Sequence, residues 1–380
     1  MAYIGKTPTS APLTSSDVTD GIISTAKIAD NAVTAAKTSY YDIPFRNIII
    51  NGDMSIAQRA TSASSLTSTG YNTIDRWNMN IATGGTWTQS QSTDVPTGQG
   101  FAKSLKMDCT TANSSLSAGS YFSLRQKFEG QNLQYLKKGT SSAESLTCSF
   151  WVKSNKTGTY CVLLYDNDNT RVISKTITIS SADTWEQKEI TFAGDTTGAL
   201  GNDNAYSLGL EIILLAGTNY TSGTQATSWE SYTAANVASD QTVNLADSTS
   251  NEWYITGVQL EVGTAASDFE FVPYNVQLAR CQRYFQTYTV MGTMGARNTT
   301  DVEGSFEFHT PMRSSPSASQ STAKVFRDMY GGTFTQSSAA ISIVDSSDKG
   351  LFVGMGNLSG LTQGRIMCAT SGTSQFSSEL

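Results

Sequence analysis

Leu146-Thr147-Cys148-Ser149-Phe150-Trp151-Val152-Lys153 decides the fold class. Apolar side chains recur at every second position from Leu146 to Val152, the period that sends alternate residues to opposite faces of a strand. The same alternation returns downstream at residues 160–165, 172–179, 189–192, 207–213 and 253–261, and upstream at 121–125. Residues 47–50 carry strand formers into the turn Asn51-Gly52-Asp53. Segments of this length, separated by Gly, Asn and Asp turns, predict two antiparallel sheets packed face to face. One stretch, residues 131–138 with Leu133 and Leu136 three apart, predicts a helix.

Composition agrees with an all-β chain. Of 380 residues only 15% are charged and 38% hydrophobic, and Ser, Thr, Gly and Asn are abundant. The formal charge of −7, with scattered basic residues, excludes a stripe that could track nucleic-acid phosphates. Five cysteines form no CxxC pair and read as free thiols of a chain made in a reducing cytosol. Met1-Ala2-Tyr3-Ile4-Gly5-Lys6 has no apolar secretory core, and no run approaches the length of a membrane span.

Three regions follow. Residues 1–40 contain no Trp or Phe and cannot form a core alone; two similar six-residue segments, at 22–27 and 32–37, are offset by ten positions. They read either as a linker or as an arm that orders only against a partner or copies of itself. Residues 41–275 carry the sandwich pattern. Residues 276–380 open with Arg283-Tyr284-Phe285-Gln286-Thr287-Tyr288 and make a smaller β unit whose sparse apolar content predicts packing against neighbours.

In order, Asn51-Gly52-Asp53-Met54, Asp75-Arg76-Trp77, 149–154, Thr256-Gly257-Val258-Gln259-Leu260-Glu261, Phe269-Glu270 and Cys281-Gln282-Arg283-Tyr284-Phe285 form a series. This series resembles that of tail fibre proteins of tailed bacteriophages, and its central part is similar to carbohydrate-binding jelly-roll modules. One departure is visible: Val272-Pro273-Tyr274 and Gln277-Leu278 stand where the family pattern usually has Arg-Pro-Tyr and Glu-Leu, so a salt bridge at those positions is not carried over from the family, while the fold reading is unaffected. The resemblance implies a jelly-roll sandwich in a homotrimeric fibre, assembled in the host bacterial cytoplasm and located on the virion tail. Its arm, through Ile22, Ile23, Ile28 and Val33, would dock on tail or adaptor proteins, and its β domains would meet a host-surface glycan or other receptor. A structural virion component without sugar binding and a polysaccharide depolymerase are the rival readings.

The residues favour binding over catalysis. His309 is the single histidine and lies in an alternating strand, and no Gly-x-Ser-x-Gly elbow is present. No carboxylate pair stands out. Sugar recognition lays a ring face on an exposed aromatic while amides and acids satisfy the hydroxyls. Of the six tryptophans, Trp77, Trp151 and Trp253 sit in or beside alternating runs and read as core. Trp87 and Trp229 lie in polar stretches, the latter near Tyr220 and Tyr232; these four are the glycan-facing candidates, with loop or subunit packing the alternative for the tryptophans. No cofactor is expected. Asp166-Asn167-Asp168-Asn169-Thr170 lacks the glycine and glutamate of a calcium loop and reads as a hairpin turn. The resemblance assigns a structural calcium, where such a module holds one, to Asp53 and Glu261. Cys281 is expected to be a buried thiol beside packed Tyr284 and Phe285.

Overall fold

The computed structural model describes residues 45–289, 293–320 and 322–380. The attachment candidates Ile22, Ile23, Ile28 and Val33 lie outside them. The sandwich strands are β1 (Ser62–Leu66), β2 (Gly70–Tyr71), β3 (Asn78–Ala82), β4 (Thr86–Ser92), β5 (Ser104–Thr111), β6 (Tyr121–Glu129), β7 (Leu146–Ser154), β8 (Gly158–Asp166), β9 (Arg171–Ile179), β10 (Glu186–Phe192), β11 (Tyr206–Ala216), β12 (Glu230–Ser231) and β13 (Glu252–Val262). They form a six-stranded sheet, β1-β4-β5-β13-β7-β10, and a seven-stranded sheet, β12-β9-β8-β11-β6-β3-β2, antiparallel throughout in a jelly-roll-like sandwich.

The alternation explains the packing. Leu146, Cys148, Phe150 and Val152 of β7 point inward and meet Phe122, Leu124, Val162, Leu164, Leu210 and Ile212 of the opposite sheet. Strand β13 is buried along nearly its whole length, and residues 267–270 lie over the outer side of its Gln259–Glu261 part. There Gln259 donates to Ser267 Oγ at 3.0 Å, and Glu261 accepts from Ser267 N and Oγ. The Asn51-Gly52-Asp53 turn packs directly on this strand. Val258 N donates to Gly52 O at 2.9 Å, and a Cβ at Gly52 would collide with the Val258 carbonyl.

The helix predicted at 131–138 is instead two short 3₁₀ turns, Gly130–Asn132 and Gln134–Leu136. Leu133 and Leu136 are buried as expected, but Lys137 adopts a left-handed backbone that ends the second turn. Among the described residues the α-helices are a single turn, α1 (Thr218–Thr221), and α2 (Tyr274–Gln282), which follows Pro273 and leads out of the sandwich. Among the described residues no helix is long and apolar enough to cross a membrane.

Beyond α2, strand β14 (Phe285–Tyr288) opens a three-stranded and a second seven-stranded sheet with their own core, including Tyr288, Phe308, Phe326, Val353 and Phe376. At the junction Cys281, Tyr284 and Phe285 are buried. The Arg76 guanidinium lies 3.5 Å from the Tyr284 ring centre and that of Arg59 3.6 Å from the Phe285 ring. Both arginines also pair with Glu379. All five cysteines are free thiols.

Candidate functional site

A hollow of about 500 Å³ lies on the outer face of the seven-stranded sheet. Strand alternation builds it. While Phe122, Leu124 and Phe128 of β6 enter the core, Tyr121, Arg125 and Lys127 face outward. Strand β11 supplies Glu211 between the inward Leu210 and Ile212, β8 supplies Leu163 and Tyr165, and β3 supplies Asn80. Tyr206 stands at the start of β11, Tyr220 on α1 and Tyr232 just after β12. Five tyrosines thus converge from separate stretches of the chain.

Their rings line the hollow in two groups. Tyr121 and Tyr220 are 4.7 Å apart between centres; Tyr165 meets Tyr232 at 5.4 Å, edge to face, and Tyr206 at 6.5 Å. Between the groups sits Glu211, which accepts from Ser123 Oγ at 2.6 Å and Tyr121 Oη at 3.1 Å, with Arg125 at 3.7 Å. Cross-strand pairing puts Asn78, Arg125 and Glu211 in one row, and Arg125 Nε donates to Asn78 Oδ1 at 2.9 Å. Lys127 Nζ is 5.0 Å from the Tyr206 ring centre.

Electrostatics follow from burial. Desolvation, reinforced by Glu211, pushes the Tyr121 phenol well above its ordinary range, and desolvation raises Tyr232 to about 12. Desolvation and then Arg125 lower Lys127 to about 8. These phenols stay protonated at neutral pH and offer O–H donors. Among the described residues Tyr206 Oη is buried without a hydrogen-bond partner, a state costing about 1–3 kcal/mol. It owes its place to Gly209, where a Cβ would come within 2.5 Å of that oxygen.

Of the aromatic candidates, Tyr220 and Tyr232 line the hollow, whereas Trp87 and Trp229 do not. Trp87 requires correction: it is fully buried between the sheets, 4.8 Å from the Phe122 ring centre, and its indole N–H donates to Gly84 O. The polar neighbours that suggested exposure alternate with it along β4, and Gln89, on its own side, is a buried polar residue. Trp229 is half-buried, with its N–H bonded to Ala193 O and Lys138 Nζ 4.4 Å from its ring centre. Trp77 and Trp253 are fully buried, and Trp151 is partly so.

Tyr121, Tyr165 and Tyr206 were missed by sequence reasoning. For Tyr121 and Tyr165 the outward position on alternating strands was the available signal; Tyr206 has the parity of the inward Leu208 and Leu210 and reaches the outer face through the register shift between Tyr206 and Leu208.

The calcium assignment does not fit. Glu261 already accepts from Ser267 and Gln259 and pairs with Arg46 at 3.4 Å, while Asp53 is bonded to Ser55. Among the described residues no group of three His, Cys, Asp or Glu could hold a metal ion. In the 166–170 turn, the Asp166 carboxylate accepts from the Asn169 side chain and pairs with Lys138. His309 stacks on Tyr288 at 4.9 Å, away from the groove.

No family model matches the chain, and no curated protein sequence matches it. Solved structures similar to it include the enzymatically active domain of tailspike protein 4 from bacteriophage CBA120, at 13% identity and TM-score 0.29, over 58% of this chain and 22% of that one. Others are TmCBM61 in complex with β-1,4-galactotriose, at 10% identity and TM-score 0.29 over 57% of this chain and 99% of that one, and the family 11 carbohydrate-binding module of a Clostridium thermocellum cellulosomal cellulase, at 12% and 0.26 over 53% and 99%. The chemistry of the groove rests on its own residues.

Proposed function

We propose that this chain is a tail fibre protein of a tailed bacteriophage that holds a host-surface glycan in the tyrosine groove. The observation that carries the binding reading is the convergence of Tyr121, Tyr165, Tyr206, Tyr220 and Tyr232 around Glu211, Arg125 and Asn80 in one open hollow. Aromatic faces suit the C–H faces of sugar rings, and the acid, guanidinium and amide suit their hydroxyls. The ordered series of sequence motifs supports the phage assignment, with docking through the N-terminal arm and a homotrimer as the assembly.

The groove favours binding over hydrolysis. Glu211 is the single carboxylate among its lining residues and already accepts from Tyr121 and Ser123, whereas glycosidic cleavage ordinarily uses two facing carboxyl groups. The test is glycan-array binding by the purified chain, paired with adsorption to host cells. Retention of defined glycans, lost in Tyr165→Ala, supports the reading; intact protein that binds neither glycans nor cells refutes it. Release of reducing ends from host polysaccharide would replace it with a depolymerase.

A further inference from the structure

A second hollow, of about 260 Å³, opens where the sandwich meets α2. Its wall comes from residues 45–50, from the two 3₁₀ turns and from Arg280 and Arg283. The charges within it do not balance. Glu129 accepts both nitrogens of the Arg283 fork, at 2.8 and 2.7 Å, together with Tyr284 Oη and Gln131 Nε2. Burial works against its ionisation, yet these bonds hold its carboxyl below the usual range. Glu129 and Arg283 therefore neutralise each other.

Arg280 has no such counterpart. One of its terminal nitrogens donates to Asn47 O at 3.2 Å; the other, Nη1, is buried with no partner, and no ion pair to Arg280 forms among the described residues. The next acid, Glu270, is occupied by the backbone N–H groups of Phe45 and Asn47, at 2.6 and 2.9 Å. A largely buried guanidinium without an anion is costly, and its planar fork matches a carboxylate. Two exposed rings flank it, Phe45 at 58% and Tyr135 at 50% exposure, beside the Asn132 amide.

We propose that this hollow is a second binding site, independent of the tyrosine groove, for a carboxylate carried on a single sugar-sized ring, as in a hexuronic acid. The carboxylate pairs with Arg280 while the ring lies against Tyr135 and Phe45. One uncompensated cation favours a monoanion over sulfate or phosphate, which two cations would suit better.

Calorimetry on the full chain with glucuronate, glucose and inorganic sulfate tests this. Glucuronate should bind, with glucose and sulfate at least about tenfold weaker, and Arg280→Gln should lose about tenfold or more. Tyr135→Ala removes a half-exposed ring; it should weaken glucuronate several-fold and keep the site testable where Arg280→Gln fails to fold. Tyr165→Ala should leave glucuronate binding intact, which separates this site from the groove. Equal affinity for glucose or sulfate, or for either Arg280→Gln or Tyr135→Ala, overturns the proposal.

Discussion

The two outer faces of the sandwich both combine aromatic rings with charges, yet they are built for different ends. On the six-stranded sheet, Tyr254 lies beside Lys106 and Lys153 on neighbouring strands; its hydroxyl donates to Glu252 at 2.6 Å, and Lys106 pairs with the same carboxylate at 2.6 Å. Trp185 donates to Asp94, which also pairs with Lys153. Every polar end in that group is matched within the chain. On the seven-stranded sheet the tyrosines instead surround a hollow, and Tyr206 Oη is unmatched among the described residues. An aromatic surrounded by charge is therefore no sign of a site by itself; concavity and unmet hydrogen-bonding capacity are.

The largest expected effect separates core from face. Trp87→Ala should lower unfolding free energy by about 3–5 kcal/mol in urea titration, because the indole fills the space between the sheets. A loss below about 1 kcal/mol would return Trp87 to the surface. Within the groove, Tyr165→Ala should weaken glycan binding by about tenfold or more with little change in stability, as expected of an aromatic anchor. Gly209→Val should do the same by forcing the Tyr206 ring out of place, and also cost about 1–3 kcal/mol through crowding. On the matched face, Lys153→Ala breaks a surface ion pair; it should cost under about 1 kcal/mol and leave glycan binding unchanged. Lost glycan binding in that variant would erase the contrast between the faces.

Much of this contrast was legible in the sequence, but unevenly. Alternation identified β7, β8, β9, β11 and β13, and the Asn51-Gly52-Asp53 and Val258-Gln259-Leu260-Glu261 motifs, some 200 residues apart in the chain, prove to touch through Gly52 and Val258. Tyr220 and Tyr232 were recognisable because they cluster with Trp229. Tyr121, Tyr165 and Tyr206 were not, since what unites them is strand register: Glu211 faces Arg125 on one side and Leu163 on the other. A single sequence specifies which face a residue takes far better than which strand lies beside it. Trp87 misled because core-facing Gln89, which accepts from Thr73 Oγ1 at 2.8 Å, hides the apolar period of β4. Helix α2 escaped notice because its sequence, Tyr274-Asn275-Val276-Gln277-Leu278-Ala279-Arg280-Cys281-Gln282, buries only Gln277 and Cys281 and shows little apolar periodicity.

The smallest effect is a difference in how the two faces titrate. Burial, with Arg125 adding to it, lowers Lys127 beside the groove to about 8, whereas in the unfolded chain a lysine titrates near about 10.4. Between these values the unfolded chain holds a proton that the native chain has released, so stability rises with pH from about 8 to about 10. Above about 10 the sign reverses, because burial keeps Tyr121, Tyr206 and Tyr232 protonated in the native state while unfolded tyrosines ionise. Lys324, buried in the C-terminal unit and also lowered to about 8 by desolvation, contributes in the same direction. On the matched face, burial works against Asp94 and Glu252, but bonds from Lys153 and Lys106 outweigh it and hold both below the usual carboxylate range. Their contribution is present above the unfolded carboxylate pKa and disappears as pH falls through the folded one, an acid-side loss. Lys127→Met should therefore reduce the alkaline rise, of which Lys324 supplies the rest, and leave the acid limb unchanged, and Lys153→Met should reduce the acid-side loss and leave the alkaline rise unchanged. Urea midpoints measured from pH 3 to 10 would show both; an alkaline rise that survives the combined Lys127→Met and Lys324→Met changes would mean that neither amine is responsible for it.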